Sequence, residues 1–169
     1  GGISERMSLN YQSAIFRKYG QLIAFLHKHY FRVSEPPLFI KSENKKKPMP
    51  LLSFPSVSLL GVSVRELIAD SELQARGMVA VAEAVDASAS VSFMDLSLEA
   101  EAFGATVSFS EDEVPTVKGR LITDEDEAEA LVVPTVGSGR TGIYIEAVKK
   151  AVERITDRPV FAGMIGPFS

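Results

Sequence analysis

From Leu51 onward, short apolar runs alternate with stretches of helical periodicity, and this alternation constrains the fold more than any other feature. Parallel strands need a crossover between them, and a helix is the usual crossover, so the pattern points to an α/β protein with parallel strands. Leu51–Leu60, a β-rich run broken by Pro55, Ala89–Met94 and Val160–Ile165 are predicted as strands. In the second, Val91 and Phe93 alternate with Ser90 and Ser92, the period of a strand with two unlike faces. Between the runs, Ser63 and Glu66 have the spacing of a capping box, in which each satisfies a free backbone donor of a short helix. A second helix is predicted from near Ser71 to about Val85, and a third over Leu98–Phe103, with Ser97 near its N-cap and Gly104 at its end. Thr106–Phe109 reads as a brief extended piece. Thr123 is the expected cap of an acidic helix, Asp124–Leu131, whose early carboxylates suit the positive end of the helix dipole. A last helix, Thr141–Ile155, places Ile145, Val148, Val152 and Ile155 on one face.

The first fifty residues differ in kind. Tyr11, Ile15, Tyr19, Leu22, Ile23, Leu26 and Tyr30 recur at helical spacing after Asn10, a plausible N-cap, and the residues ahead of Met7 are set aside. Pro36-Pro37, Lys45 to Lys47, Pro48 and Pro50 then mark a linker. The chain therefore divides into a helical extension with linker, residues 1–50, and a main body, residues 51–169. The extension carries a net charge of +6 and the body −10. No aromatic residues interleave the lysine run as a nucleic-acid groove would require, so the basic head reads as a solvated extension docking on its own acidic body.

Composition is that of an ordinary globular protein, with 46% hydrophobic and 24% charged residues. No apolar run approaches the roughly 18–20 residues of a membrane span, and no signal peptide is visible. A cytoplasmic enzyme, or part of one, is expected. The absence of cysteine removes disulfides, thiolate metal ligands and a cysteine nucleophile.

Few motifs carry chemistry. Gly137-Ser138-Gly139-Arg140-Thr141-Gly142 fits the dinucleotide fingerprint, but that fingerprint needs a strand directly before the glycines, and Pro134 interrupts the only candidate. The same stretch resembles a phosphatase phosphate loop without its thiolate. It reads as a loop that starts the Thr141 helix. His27 and His29 lie two apart and point to different helix faces, so they form no metal pair. Asp95 follows an apolar strand, at the carboxyl end where parallel α/β folds gather binding and catalysis. A capping carboxylate, with Glu99 and Glu101 simply solvated, is the structural alternative.

Met94-Asp95-Leu96-Ser97-Leu98-Glu99-Ala100-Glu101-Ala102-Phe103-Gly104, followed by Asp112-Glu113-Val114-Pro115-Thr116-Val117, resembles the uroporphyrinogen decarboxylase superfamily. The nearest branch is that of the corrinoid-dependent methyltransferases, including methylcobamide:coenzyme M methyltransferases. Gly61-Val62-Ser63-Val64-Arg65-Glu66 and Ile165-Gly166-Pro167-Phe168-Ser169 fall at the family's spacing, so the resemblance covers about residues 50–169 and leaves out the basic head. It implies the N-terminal portion of a (β/α)8 TIM barrel, about three strands of eight. By that mapping the strands lie within Leu51–Leu60, at Ser90–Met94 and at Val160–Ile165.

The resemblance also assigns roles. Asp95 falls at the active-site aspartate of the decarboxylases, where a carboxylate accepts hydrogen bonds from pyrrole N–H groups and stabilises a protonated pyrrole. Ser97, Glu99 and Glu101 are weaker candidates for binding substrate or cofactor, and Gly166 and Pro167 would shape the mouth of the third strand. The decarboxylases grip substrate carboxylates with an arginine-rich segment after the first strand. Pro55–Val64 has no arginine, and only Arg65 echoes it, which favours the methyltransferase branch. That branch uses a zinc ion, held by His and Cys from later strands, and a methylcorrinoid. This segment is expected to bind no cofactor or metal itself and to be inactive alone. Its expected partners are the remainder of the barrel, from the same gene or another chain, and a corrinoid protein. Neither nucleic acid nor membrane is expected, and the open strand edges predict self-association. The remaining alternatives are a porphyrinogen decarboxylase and a non-catalytic barrel piece that serves binding or assembly.

Overall fold

Pro55 decides how the body begins. In the computed structural model, which describes residues 47–165 apart from Leu52, Pro55 has φ −55° and ψ −15° and sits at the N-cap of helix α1, Ser56–Leu60. Its ring fixes that φ and removes the N–H a strand would need. The strand predicted across Leu51–Leu60 is therefore not formed by residues 53–60, which turn and coil instead. Ser53 docks on the neighbouring extended segment by its side chain: the hydroxyl donates to Val91 O at 2.7 Å and Ser92 O at 3.0 Å. Gly61, at φ 68°, takes the left-handed conformation that ends α1. The predicted helix Asn10–Tyr30, the two histidines, Gly166 and Pro167 lie outside the described residues.

The next elements follow their caps. Helix α2, Val64–Ala69, opens on the predicted capping box, with Ser63 Oγ accepting from Glu66 N–H and the Glu66 carboxylate from Ser63 N–H. Asp70 then caps helix α3, Ser71–Ala84, by accepting from the backbone of Glu72 and Leu73. Strand β1 is Ser90–Val91. Helix α4, Leu98–Ala102, strands β2, Thr106–Ser108, and β3, Thr116–Lys118, and helix α5, Glu125–Ala130, come next. Helix α6, Thr141–Arg154, and strand β4, Val160–Phe161, complete the described chain.

Two strand pairs form. β1 and β4 are parallel, with Ser90 opposite Val160 and Val91 opposite Phe161. Both are shorter than predicted, because beyond them Gly163 N–H bonds the Ser92 hydroxyl at 2.8 Å and leaves the backbone ladder. β2 and β3 form an antiparallel ribbon, Val107 opposite Val117. Thr116–Lys118 was not expected as a strand.

Helices α3 and α6 pack on each other beside the parallel pair. Leu67, Met78, Phe93, Tyr144, Ala151 and Ile155 make the core. Phe93 meets Phe54 edge to face at 5.4 Å between centroids. The buried stripe runs along α6 through Tyr144, Ala147 and Ala151 to Ile155 at its C-cap; of the predicted face only Ile155 is buried, Ile145 and Val148 being half-buried and Val152 52% exposed. Two alanines let the helix backbone come close, which a wall of β-branched residues would prevent. The acidic helix also starts one residue later than expected. Asp124 is its cap and accepts from Glu127 N–H, while Thr123 donates to the Glu127 carboxylate from outside the helix. Among the described residues no helix is long and apolar enough to cross a membrane.

Candidate functional site

Asp95 ends the extended segment that begins with β1. Its Oδ1 accepts from Ser97 N–H at 2.9 Å and from the Ser97 hydroxyl at 2.6 Å, the local bonding by which aspartate starts a turn. Its Oδ2 accepts from the Tyr144 phenol at 3.0 Å and from Arg140 Nη1 at 2.5 Å. The Asp95 side chain has no exposed surface and that of Arg140 only 12%. A carboxylate so covered needs both a counter-charge and donors for its lone pairs, and it has both.

Arg140 holds the site together. Besides Asp95, it donates from Nη2 to Ser97 Oγ at 3.0 Å and from Nε to Glu101 Oε2 at 2.5 Å. Its guanidinium lies 5.1 Å from the centre of the Phe109 ring, on β2's trailing end. Burial and the adjacent Asp95 carboxylate push the Tyr144 phenol well above its ordinary range, so it stays a donor.

The glycine-rich loop delivers Arg140. Gly137 and Gly139 have φ 85° and 55°, which other residues rarely adopt. A Cβ on Gly142 would lie 2.9 Å from Gly137 O, so the first turn of α6 can close only over a glycine. Ser138 N–H bonds Thr135 O and the Thr141 hydroxyl bonds Ser138 O, which fixes the turn. No strand runs into this loop from residues 131–135, so the loop reading of this motif matches the structure and the dinucleotide reading does not. Sequence reasoning nevertheless missed Arg140. The available signal was composition: it is the single base between Leu121 and Val148, a stretch otherwise carrying only acids.

Of the predicted site residues, Asp95, Ser97 and Glu101 meet through Arg140. Glu99 stands apart. It is buried, with Oε1 accepting from Ile165 N–H at 3.3 Å and Oε2 without a partner. Burial first, and the nearby Asp95 charge after it, raise its pKa above the ordinary carboxylate value. Arg65 pairs instead with Glu111 on the surface at 3.5 Å. A cavity of about 140 Å³ lies beside Glu99, between α4, α6 and the residues after β4. Among the described residues no group of three His, Cys, Asp or Glu side chains could hold a metal ion, so a zinc site does not fit here. The cavity is also far below the roughly 300–1,000 Å³ of a pocket for a drug-sized molecule, and a corrin does not fit it.

The sequence model of the uroporphyrinogen decarboxylase (URO-D) family matches residues 56–169. Among solved structures, a methyltransferase from Methanosarcina mazei superposes with a TM-score of 0.64 at 23% identity. The alignment covers 79% of this chain and 41% of that one, so the chain spans about two fifths of its length. At this identity the likeness is one of fold. No curated protein matches the sequence.

Proposed function

This chain belongs to the uroporphyrinogen decarboxylase family, and from that premise we propose that it contributes the opening part of a (β/α)8 barrel to a corrinoid-dependent methyltransferase. Residues 51–169 make the barrel portion and residues 1–50 a separate extension. The segments through β1 and β4 serve as neighbouring barrel strands, and helices α3 and α6 as members of the outer ring. The fold likeness to a methyltransferase and the parallel pairing of β1 with β4 support this reading.

The observation that carries it is the position of Asp95. A carboxylate at the carboxyl end of a parallel strand, tied to an arginine 45 residues away, stands where barrel enzymes collect their chemistry. In this role Asp95 accepts hydrogen bonds from a donor group of substrate or cofactor. Ser97, Tyr144 and Arg140 fix its orientation, and Glu101 shares the arginine. The zinc and the corrinoid belong to the remainder of the barrel and to a corrinoid protein partner, since the residues described offer neither a site. Transfer to a thiol is favoured over porphyrinogen decarboxylation. The stretch Pro55–Val64 lacks the arginines that would hold substrate carboxylates, and Arg65 is engaged with Glu111 at the surface.

The complete coverage of Asp95 favours a second reading, in which this network only stiffens a barrel piece used for binding or assembly. Reconstitution separates the two. The chain is combined with the complementary carboxyl-terminal part of the barrel, and methyl transfer from methylcobalamin to a thiol is followed. Activity should require both parts and fall by at least about a hundredfold in Asp95→Asn, the scale of losing one preorganised electrostatic contact. Unchanged activity in that variant supports the assembly reading, and turnover of uroporphyrinogen supports the decarboxylase.

A further inference from the structure

Helix α6 carries two apolar stripes, and the described body covers only one of them. Tyr144, Ala147 and Ala151 are buried. Beside them, at helical spacing, Ile145 and Val148 are half-buried and Val152 is exposed. Ile145 and Val148 also line the cavity of about 140 Å³, with Leu98 and Ala102 from α4, Val136 from the glycine-rich loop, and Met164. The second stripe and the cavity share these two side chains, so they form one apolar face, and among the described residues no element fills it. A helix that is apolar on two sides packs on two partners.

The chain itself holds a segment of complementary pattern. The apolar residues that recur from Tyr11 to Tyr30 fall on one helical face, and a lone helix of that length is marginal in water without a surface to pack on. Charge matches as well. From Asn10 to Tyr30 the sequence has Arg17, Lys18 and Lys28 and no acid, while α6 exposes Glu146 and Glu153 beside its second stripe, with Lys149 bonded to Glu146. The chain also enters the body beside this helix. Lys47 pairs with Asp86 at 3.1 Å, and Arg158, just past the end of α6, donates to the neighbouring Val85 O at 2.7 Å. Extended, residues 31–46 reach up to about 50 Å, several times the roughly 14 Å radius of gyration of a body this size.

We propose that Asn10–Tyr30 packs as a helix on this face of α6, its apolar stripe against Ile145, Val148 and Val152. Tethering makes the docking intramolecular, at an effective concentration on the order of millimolar. The extension is then a cover for the open side of the body. This assignment does not rest on the barrel reading. In that reading a right-handed crossover from β4 sets the following helix beside α6 as well, so the cover must leave before the remainder of the barrel docks.

The test uses the full chain. It has no cysteine, so Gln21→Cys gives a nitroxide a single attachment point on the polar side of the segment. Methyl NMR then reads where the label sits through paramagnetic broadening. The Ile145, Val148 and Val152 signals should lose most of their intensity, and Leu59 on α1, a helix that packs on α3, should keep its own. Leu22→Glu combined with Leu26→Glu breaks the stripe of the segment without altering the body, and it should restore the α6 signals. A mixture of isotope-labelled chain without nitroxide and nitroxide-bearing chain without isotope isolates contacts between copies, and it should show no broadening. Broadening reproduced in that mixture assigns the face to a second copy. Broadening at Leu59 instead places the segment elsewhere. No broadening, or broadening that survives the double substitution, leaves the face without this occupant. Each of these results overturns the proposal, and none of them touches the barrel reading, which is carried by Asp95.

Discussion

Arg140→Met tests the central pair most directly. It removes the guanidinium and leaves the Asp95 carboxylate without exposed surface and without a counter-charge. Removing one partner of a buried ion pair costs about 3–5 kcal/mol. Asp95 keeps its bonds from Ser97 N–H, the Ser97 hydroxyl and Tyr144, and Arg140 itself is slightly exposed, so the expected loss is at the lower end, about 3 kcal/mol. That is a large share of the roughly 5–15 kcal/mol by which domains are stable, and it lowers the melting temperature by about 6–12 °C. Urea unfolding followed by far-ultraviolet circular dichroism at pH 7 measures it, with the slope unchanged if the native fold persists. The decisive comparison is the double variant. Asp95→Asn removes the charge that Arg140→Met strands, so the two losses should fall short of additivity by at least about 1.5 kcal/mol. A loss below about 1 kcal/mol for Arg140→Met, or strict additivity, refutes the claim that Arg140 neutralises a buried carboxylate.

Three further outcomes follow from the packing and the titration. A Cβ on Gly77 would lie 2.6 Å from Ser56 Oγ and 3.1 Å from Phe93 Cζ, so Gly77→Ala should destabilise by about 1–2 kcal/mol in the same assay, overpacking outweighing the helix propensity gained. Glu99 holds its proton to higher pH in the folded protein than in the unfolded chain, so the folded state binds more protons there. Its contribution is therefore lost as pH rises from the ordinary carboxylate range through the raised value, and Glu99→Gln should flatten that part of the stability profile. Gly142→Ala, which presses on Gly137 O, should displace the loop and lower stability without any change in charge, and an Asp95→Asn background should reduce the effect.

What the sequence made legible was local. The capping box at Ser63 and Glu66, the limits of α3 and the turn after α4 depend on groups within a few residues of one another, and each formed as read. The errors lie where distant contacts override local pattern. Leu51–Leu60 has strand composition, yet Pro55 sets helical φ, and Ser53 reaches the neighbouring extended segment by a side chain that no periodicity reveals. Ile145, Val148 and Val152 have the larger apolar side chains, but α3 selects the alanine face of α6 because it allows closer approach. In the candidate site Asp95, Ser97 and Glu101 stood together in sequence, whereas Arg140 is brought to them only by the packing of α6.

That last contact changes what the glycine-rich loop means. Its glycines look like a nucleotide cradle in one dimension, but in three they permit a tight turn whose product is one guanidinium placed on Asp95. The turn, the arginine and the acid then form one unit: Asp95 without a counter-charge is costly in that burial, and Arg140 would have no reason to leave solvent without it. The same unit touches Glu101 on α4 and Phe109 after β2, so it ties the strand end to the helix and ribbon that follow. Any ligand that takes hold of Asp95 must therefore replace Arg140's hydrogen bonds as well as make its own. Binding at Asp95 should accordingly be read in the order of α6's first turn, where the Thr141 and Ile143 amides, bonded to Ser138 O and Arg140 O, would lose exchange protection on ligation, and unaltered protection there would separate the acid from the loop.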